Sequence, residues 1–290
     1  MNLKADGNYN IYQRILRQKH ATVKRLASNL SCAEMQLIYE NLVRNQAIVL
    51  AGYKNENLRA KAFHQLCLAF CSSLHPMLFG PISELLWLAI CSAIDDIESK
   101  EAELLEQISL DFSSVPQKQI ASKAKKFSSV SVQECIVRLS ARMVDATTDI
   151  LLVDEASSSA RLADAVISRF YAMIPQLKRI LFTETCSAYN FTQLLCYSAL
   201  AEKNQELMIR WCERINDEDG SSLHKSVSED SKRLHGQIVR PREEFVSEDG
   251  SWFHPPNRPY DHAVMMPWHP VFEDIFVWKQ QRKQGKADGD

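Results

Sequence analysis

An apolar run that ends in paired carboxylates is one way a chain presents acid groups to phosphate chemistry. Asp149-Ile-Leu-Leu-Val-Asp154-Glu155 has that form: a short strand, then one carboxylate to hold Mg²⁺ and a second to polarise an attacking water. Upstream, the apolar run Gln46–Ala51 leads into Gly52-Tyr-Lys-Asn-Glu-Asn-Leu-Arg59, which offers Lys54 and Arg59 as cations. Ser131-Val-Gln-Glu134 reads as a helix start, whose partial positive charge attracts an anion. Two further patterns carry less. His254, His262 and His269 with Asp261 are metal-ligating types, but spacings of eight and seven fit no zinc pattern and the segment lacks cysteine, so no metal is expected. No G-x-S-x-G motif occurs, and Ser157-Ser-Ser159 reads as a helix-capping loop.

The elements that must position these residues follow from hydrophobic spacing. Ile11 to Leu30 is a basic, weakly amphipathic helix with Arg14, Arg17, Lys19, Lys24 and Arg25 between its apolar positions, suited to a solvated arm or to contact with anionic lipid. Leu58 to Ser72 reads as helix. Ser83 to Leu110 carries the 3.6-residue stripe Leu86, Ile90, Ile94, Ile97, Leu104 and Ile108 and opens at Ser83 after Pro81. A helix from Ser131 to Ala146 runs into a strand at Asp149–Val153, and a helix from Ala160 to Met173 precedes a strand at Arg179–Thr183. Strands at 46–51, 149–153 and 179–183 alternating with helices predict an α/β fold with a parallel sheet.

In this order the motifs resemble the ATP-binding-cassette (ABC) ATPases, closest to the capsular-polysaccharide exporter branch. Ile48-Val-Leu-Ala-Gly52 is similar to the strand and first glycine of Walker A, Ser131 falls on the signature serine, and Ala141-Arg142 falls on the pair in the signature helix. Asp154 and Glu155 match Walker B. Arg179-Ile-Leu-Phe-Thr183 is similar to the strand before the switch histidine, and Cys196 to Asn204 to the characteristic end of the domain. The resemblance spans residues 41–211. It implies a P-loop-like parallel sheet flanked by helices, helix-rich and with a reduced β-subdomain, between a basic helical arm (1–40) and a polar linker with a docking segment (216–290).

The departures remove the chemistry. Walker A needs G-x-x-x-x-G-K-[S/T], because glycine amides cradle phosphates and lysine bridges them. Here Asn57, Leu58 and Arg59 stand in the last three positions and Glu56 adds negative charge. Val132 and Gln133 replace signature glycines, Arg161 the D-loop aspartate and Glu184 the switch histidine. Losing one such contact costs about 10³-fold. Gly52, Lys54, Arg59 and Ser131 are therefore vestigial nucleotide-binding positions, and Asp154, Glu155 and Glu184 vestigial catalytic ones. Arg59 is placed to pair with Asp154 or Glu155 in place of the lost metal.

Composition sets the outer bounds. The 290 residues are 46% hydrophobic and 24% charged with a net charge of −2, which excludes wholesale disorder and gives no global attraction to nucleic acid. Eight cysteines without a CxxC pair read as buried thiols in a reducing compartment, hence a cytoplasmic chain, at most peripheral to the inner membrane. The longest uncharged run, 62–83, contains His64, His75, Pro76, Gly80 and Pro81 and is a poor membrane span. The C-terminal aromatics Trp252, Phe253, Tyr260, Trp268 and Trp278 predict docking onto a partner or the chain's own surface. The resemblance implies a non-hydrolytic component of a membrane-associated export or secretion assembly, in a polysaccharide-export setting. Its partners would be a permease, an active ATPase or a second copy, and it would need no cofactor. The alternative is a mostly helical adaptor or effector unrelated to these ATPases. A third reading is an Mg²⁺-dependent enzyme built on Asp154, Glu155 and Glu184.

Overall fold

The computed structural model describes residues 3–28, 30–54, 60–153, 159–214, 223, 225, 227–258 and 261–272. Helices dominate: α1 (Leu3–Ala27), α2 (Leu30–Lys54), α3 (Ala60–Lys100), α4 (Ala102–Gln107), α5 (Gln117–Val153), α6 (Ser159–Ala172), α7 (Ile174–Ala201) and α8 (Glu229–Leu234). The strands are β1 (Met208–Cys212), β2 (Ile238–Val239), β3 (Phe245–Ser247), β4 (Gly250–Trp252) and β5 (Val264–Trp268). They form an antiparallel sheet in the order β2-β1-β5 and a separate β3-β4 hairpin.

The expected parallel sheet is therefore corrected. Residues 46–51 lie inside α2, 149–153 close α5, and 179–183 lie inside α7. The described residues beside two of these runs carry helical stripes. In α5 the buried positions Val132, Ile136, Leu139 and Met143 recur every three to four residues up to the Asp149 segment, and in α7 Leu177, Leu181 and Thr185 do the same. Threonines that read as strand formers are satisfied within the helix: Thr183 Oγ1 donates to the Arg179 carbonyl at 2.7 Å, and Thr185 Oγ1 to that of Leu181 at 2.6 Å. Ser131, expected at a helix start, sits in the middle of α5. There it has no free amides to offer an anion.

α3 joins two expected helices through Pro76 and Pro81. Each proline frees the carbonyl four residues earlier, and those belong to Ser72 and Met77, both exposed. Solvent is available to the freed groups, so the helix continues. Within α3, Leu68–Lys100 is long and apolar enough to cross a membrane, and half of its apolar window is buried in the protein.

The chain divides into two compact units. One comprises Ala27–Trp87 and Lys126–Thr185. Here α2 packs on α6, Tyr39 donates to the Phe170 carbonyl at 2.8 Å, and the Phe70 and Phe170 rings stack at 5.0 Å. The other comprises Met1–Leu26, Leu88–Lys125 and Cys186–Asp290. In it α1 buries Tyr12, Ile15, Leu16, Val23 and Leu26, and between them Lys19, with no side-chain exposure.

Lys19 has three donors and uses all of them. Nζ bonds a Glu101 carboxylate oxygen, the Tyr197 hydroxyl at 2.8 Å and the Met265 carbonyl at 2.5 Å. The Tyr197 hydroxyl in turn donates to Glu101 at 2.8 Å. One turn before the end of α3, Asp96 accepts from Tyr189 at 2.7 Å and pairs with Lys100 at 2.5 Å, and Lys100 reaches Thr22 at 2.7 Å. Burial pushes the Glu101 carboxyl up against the opposing pull of Lys19 and Tyr197. Removing one partner leaves a buried charge uncompensated, which costs about 3–5 kcal/mol. Lys19→Met is therefore expected to lower unfolding free energy by about that amount in urea titrations. The double variant Lys19→Met, Glu101→Gln should recover a substantial part of the loss.

Candidate functional site

The residues singled out by sequence do not assemble into one site. Asp154, Glu155 and Arg59 lie outside the described residues, so their pairing is not described; Tyr260 and Trp278 also lie outside them. Gly52 and Lys54 belong to the last turns of α2. Ser131 and Glu184 do come together: Ser131 Oγ donates to one Glu184 oxygen at 2.5 Å and the Cys135 thiol to the other at 3.5 Å. Both carboxylate oxygens are thus engaged by neighbouring helix side chains. The Cys135 thiol is pushed up to about 11 by burial and by Glu184.

Of the C-terminal aromatics, Trp268 is a buried β5 residue. Its ring meets those of Tyr12 and Phe272 edge-on, each at 6.4 Å, and the Arg210 guanidinium lies 5.3 Å from its centroid. Trp252 is half-buried on β4 and Phe253 exposed. Two of the three histidines read from the sequence have partners of their own. His254 Nδ1 donates to the Pro255 carbonyl at 2.6 Å, while His269 Nδ1 accepts from the Val271 amide at 3.2 Å and its Nε2 faces Glu206 at 3.2 Å. Among the described residues no group of three or more His, Cys, Asp or Glu is arranged to hold a metal ion.

The densest chemistry is at the end of β1, where the sequence singles out only Asp261 and His262, as metal-ligating types. Antiparallel pairing sets Cys212 opposite Val264 on β5, and the chain leaves the sheet at Glu213. Its carboxyl is buried, accepts the Trp211 indole N–H at 2.8 Å and hydrogen-bonds Asp261. Asp261 accepts the amides of Ala263 at 2.9 Å and Asn257 at 3.2 Å. Burial, then the adjacent Asp261, pushes the Glu213 carboxyl up to about 9. Two carboxyls buried in contact disfavour double ionisation, so a proton is favoured between them, with Arg258 opposing the effect.

Imidazoles beside this pair behave oppositely. His235 follows α8 in a turn that requires Gly236 at φ +89°, and its Nδ1 accepts the Glu213 amide at 3.0 Å. His20, from α1, donates Nε2–H to the Cys212 carbonyl at 3.3 Å. Burial pushes both down to about 4, with Arg210 adding to the effect at His235. A carboxyl that keeps its proton beside imidazoles that refuse one is the pattern of an acid–base site. Here, though, the Glu213 carboxyl is taken by the Trp211 indole and Asp261, and Asp261, His20 and His235 are turned onto backbone amides and a carbonyl. The cluster holds structure together.

A cleft of about 600 Å³ lies elsewhere on the same unit, lined by Ser198, Ala201, Glu202, Gln205, Leu207, Arg240, Pro241, Arg242 and Glu243. An Arg242–Glu202 ion pair at 2.5 Å stands among these residues. The α1 cations Arg14, Arg17, Lys24 and Arg25 are exposed, with Arg14 paired to Glu103 at 2.8 Å.

The Glu213 carboxyl gains a proton on folding. Its stabilising contribution is complete below its ordinary value of 4.5 and is lost as pH rises through about 9. Glu213→Gln keeps the indole contact and can donate to Asp261 without titrating. Its melting temperature should fall less than wild type between pH 7 and 9.5, with an advantage of about 1–3 kcal/mol at pH 9 in unfolding titrations.

Compared with family models, with curated protein sequences and with solved structures, the chain matches none, so its function is read from its own geometry.

Proposed function

We propose that this protein is a non-enzymatic, helix-built adaptor that acts by docking another protein. The observation that carries the reading is the outward face of α5. Its inward face buries Val132, Ile136, Leu139 and Met143. Its outward face nevertheless presents Phe127, Val130 and Val137, at 44%, 53% and 52% exposure, in line with exposed Glu134 and Ala141. Spacings of three and four residues put these five positions on one stripe about 21 Å long. A solvent-facing stripe is ordinarily polar, and a row of anchors at this spacing is how a helix lies in a partner's apolar groove.

The chemistry elsewhere supports binding over turnover. Glu184 is spent on Ser131 and Cys135, the Glu213 carboxyl on the Trp211 indole and Asp261, and His235 Nδ1 on the Glu213 amide. Free thiols at the six described cysteines support a reducing, intracellular setting. The pseudo-ATPase reading needed a parallel sheet, and helices stand in its place.

A photo-crosslinking residue at Val137 should capture a protein in cells, either a partner or a second copy. Val130→Asp should abolish that capture while changing stability by no more than about 0.5 kcal/mol, as an exposed position allows. A folded protein whose Val137 probe captures nothing would overturn the docking role.

A further inference from the structure

Three imidazoles from separate segments converge on the corner where the end of β1 meets α1. His20 comes from α1, His235 from the turn after α8, and His262 from the approach to β5. One hydrogen bond at this corner requires a neutral ring, and a second ring has a buried nitrogen with no acceptor for a further proton. The Glu213 amide donates to His235 Nδ1, which must carry no proton to accept it. His20 donates through Nε2 to the Cys212 carbonyl, and its Nδ1 is buried with no hydrogen-bond partner. A proton on that Nδ1 would be a buried donor with nothing to accept it, a costly state. The groups facing His20 are Lys19 on its own helix, Cys212 on β1, and His235 and His262; Arg210 on β1 faces His235. All of them are neutral or cationic. The nearest acids, Glu213 and Asp261, are tied to one another, with Arg258 beside them.

We propose that this corner is an acid-released latch: proton uptake by His20 and His235 opens the contact between the end of β1, the turn after α8 and α1, while the helices stay folded. Opening is confined because the neighbouring attachments do not pass through an imidazole. Lys19 still holds the Met265 carbonyl of β5, and Asn190 Nδ2 holds that of Ala263 at 3.1 Å. The surface uncovered is apolar and aromatic: Tyr12, whose hydroxyl rests on Cys212 Sγ at 3.9 Å, and Trp211, which packs edge-on against Phe245 at 5.1 Å. Burial holds both imidazoles neutral at pH 7, and with folded values of about 4 against an ordinary 6.5 the closed state loses support as pH falls through that window.

Hydrogen exchange of the full chain, read by mass spectrometry between pH 7 and 4 and corrected for intrinsic rates, tests the latch. Peptides covering 209–214 and 233–237 should gain at least about tenfold in exchange by pH 4.5 while peptides from 186–200 in α7 do not, since local opening leaves the rest protected. His20→Gln keeps a donor for Cys212 and His235→Asn keeps an acceptor for Glu213, and neither titrates. Each should move the opening midpoint down by about half a pH unit or more. If one variant fails to fold, the other decides. Unchanged midpoints, or exchange that rises together in the corner and in α7 at every pH, would overturn the proposal.

Discussion

The Lys19 ammonium is the constraint from which the β-bearing unit is built. A fully buried amine is costly unless each of its three donors is met, and the three acceptors here come from the start of α4, from α7 and from β5. That requirement fixes the position of three elements relative to α1 at once. Glu101 serves twice, since its side chain meets Lys19 and its backbone carbonyl accepts the Leu104 and Leu105 amides that start α4. A hydrophobic side chain at position 19 would fill the space without specifying which elements gather round it.

The same economy of donors and acceptors runs through the rest of that unit. Asp96 accepts from Tyr189 and Lys100, Glu213 from Trp211, and Asp261 from two backbone amides. These polar groups supplement the apolar core, because the β1–β5 ladder is only five residues long and the other pairings are two and three. Tight polar satisfaction also fixes protonation. A carboxyl buried beside another carboxyl retains its proton, and an imidazole whose bare nitrogen is already an acceptor refuses one. The corner at Glu213 is thus sensitive to pH as a consequence of being well built.

The other unit follows apolar packing, with the Thr183 and Thr185 hydroxyls folded back onto their own helix and Tyr39 and Ser131 tying helix to helix. Its outward α5 stripe departs from that economy. Val130 and Val137 are 53% and 52% exposed, and exposed apolar surface is where a partner gains most by covering it.

Composition and spacing determined what depends on local pattern. They determined a folded chain, the amphipathic character of α1, and the α6 boundaries near Ala160 and Met173, because a 3.6-residue stripe bounded by breakers is a local property. The three apolar runs at 46–51, 149–153 and 179–183 misled because four to six apolar residues fit a buried strand and a buried helix equally well, and only the packing of the flanking turns decides between them. The real strands were hidden for the same reason. Met208–Cys212 and Val264–Trp268 lie 56 residues apart, counting from Met208 to Val264, and neither alternates cleanly, so nothing local announces that they pair. Lys19, read as one of five cations on a basic helix, became the centre of a buried network through residues 82, 178 and 246 positions away. No local pattern encodes a partner at that distance. The proton on Glu213 and the bare nitrogens of His20 and His235 were likewise decided only by tertiary structure, since ionisation is set by desolvation and neighbours that the linear chain does not bring together.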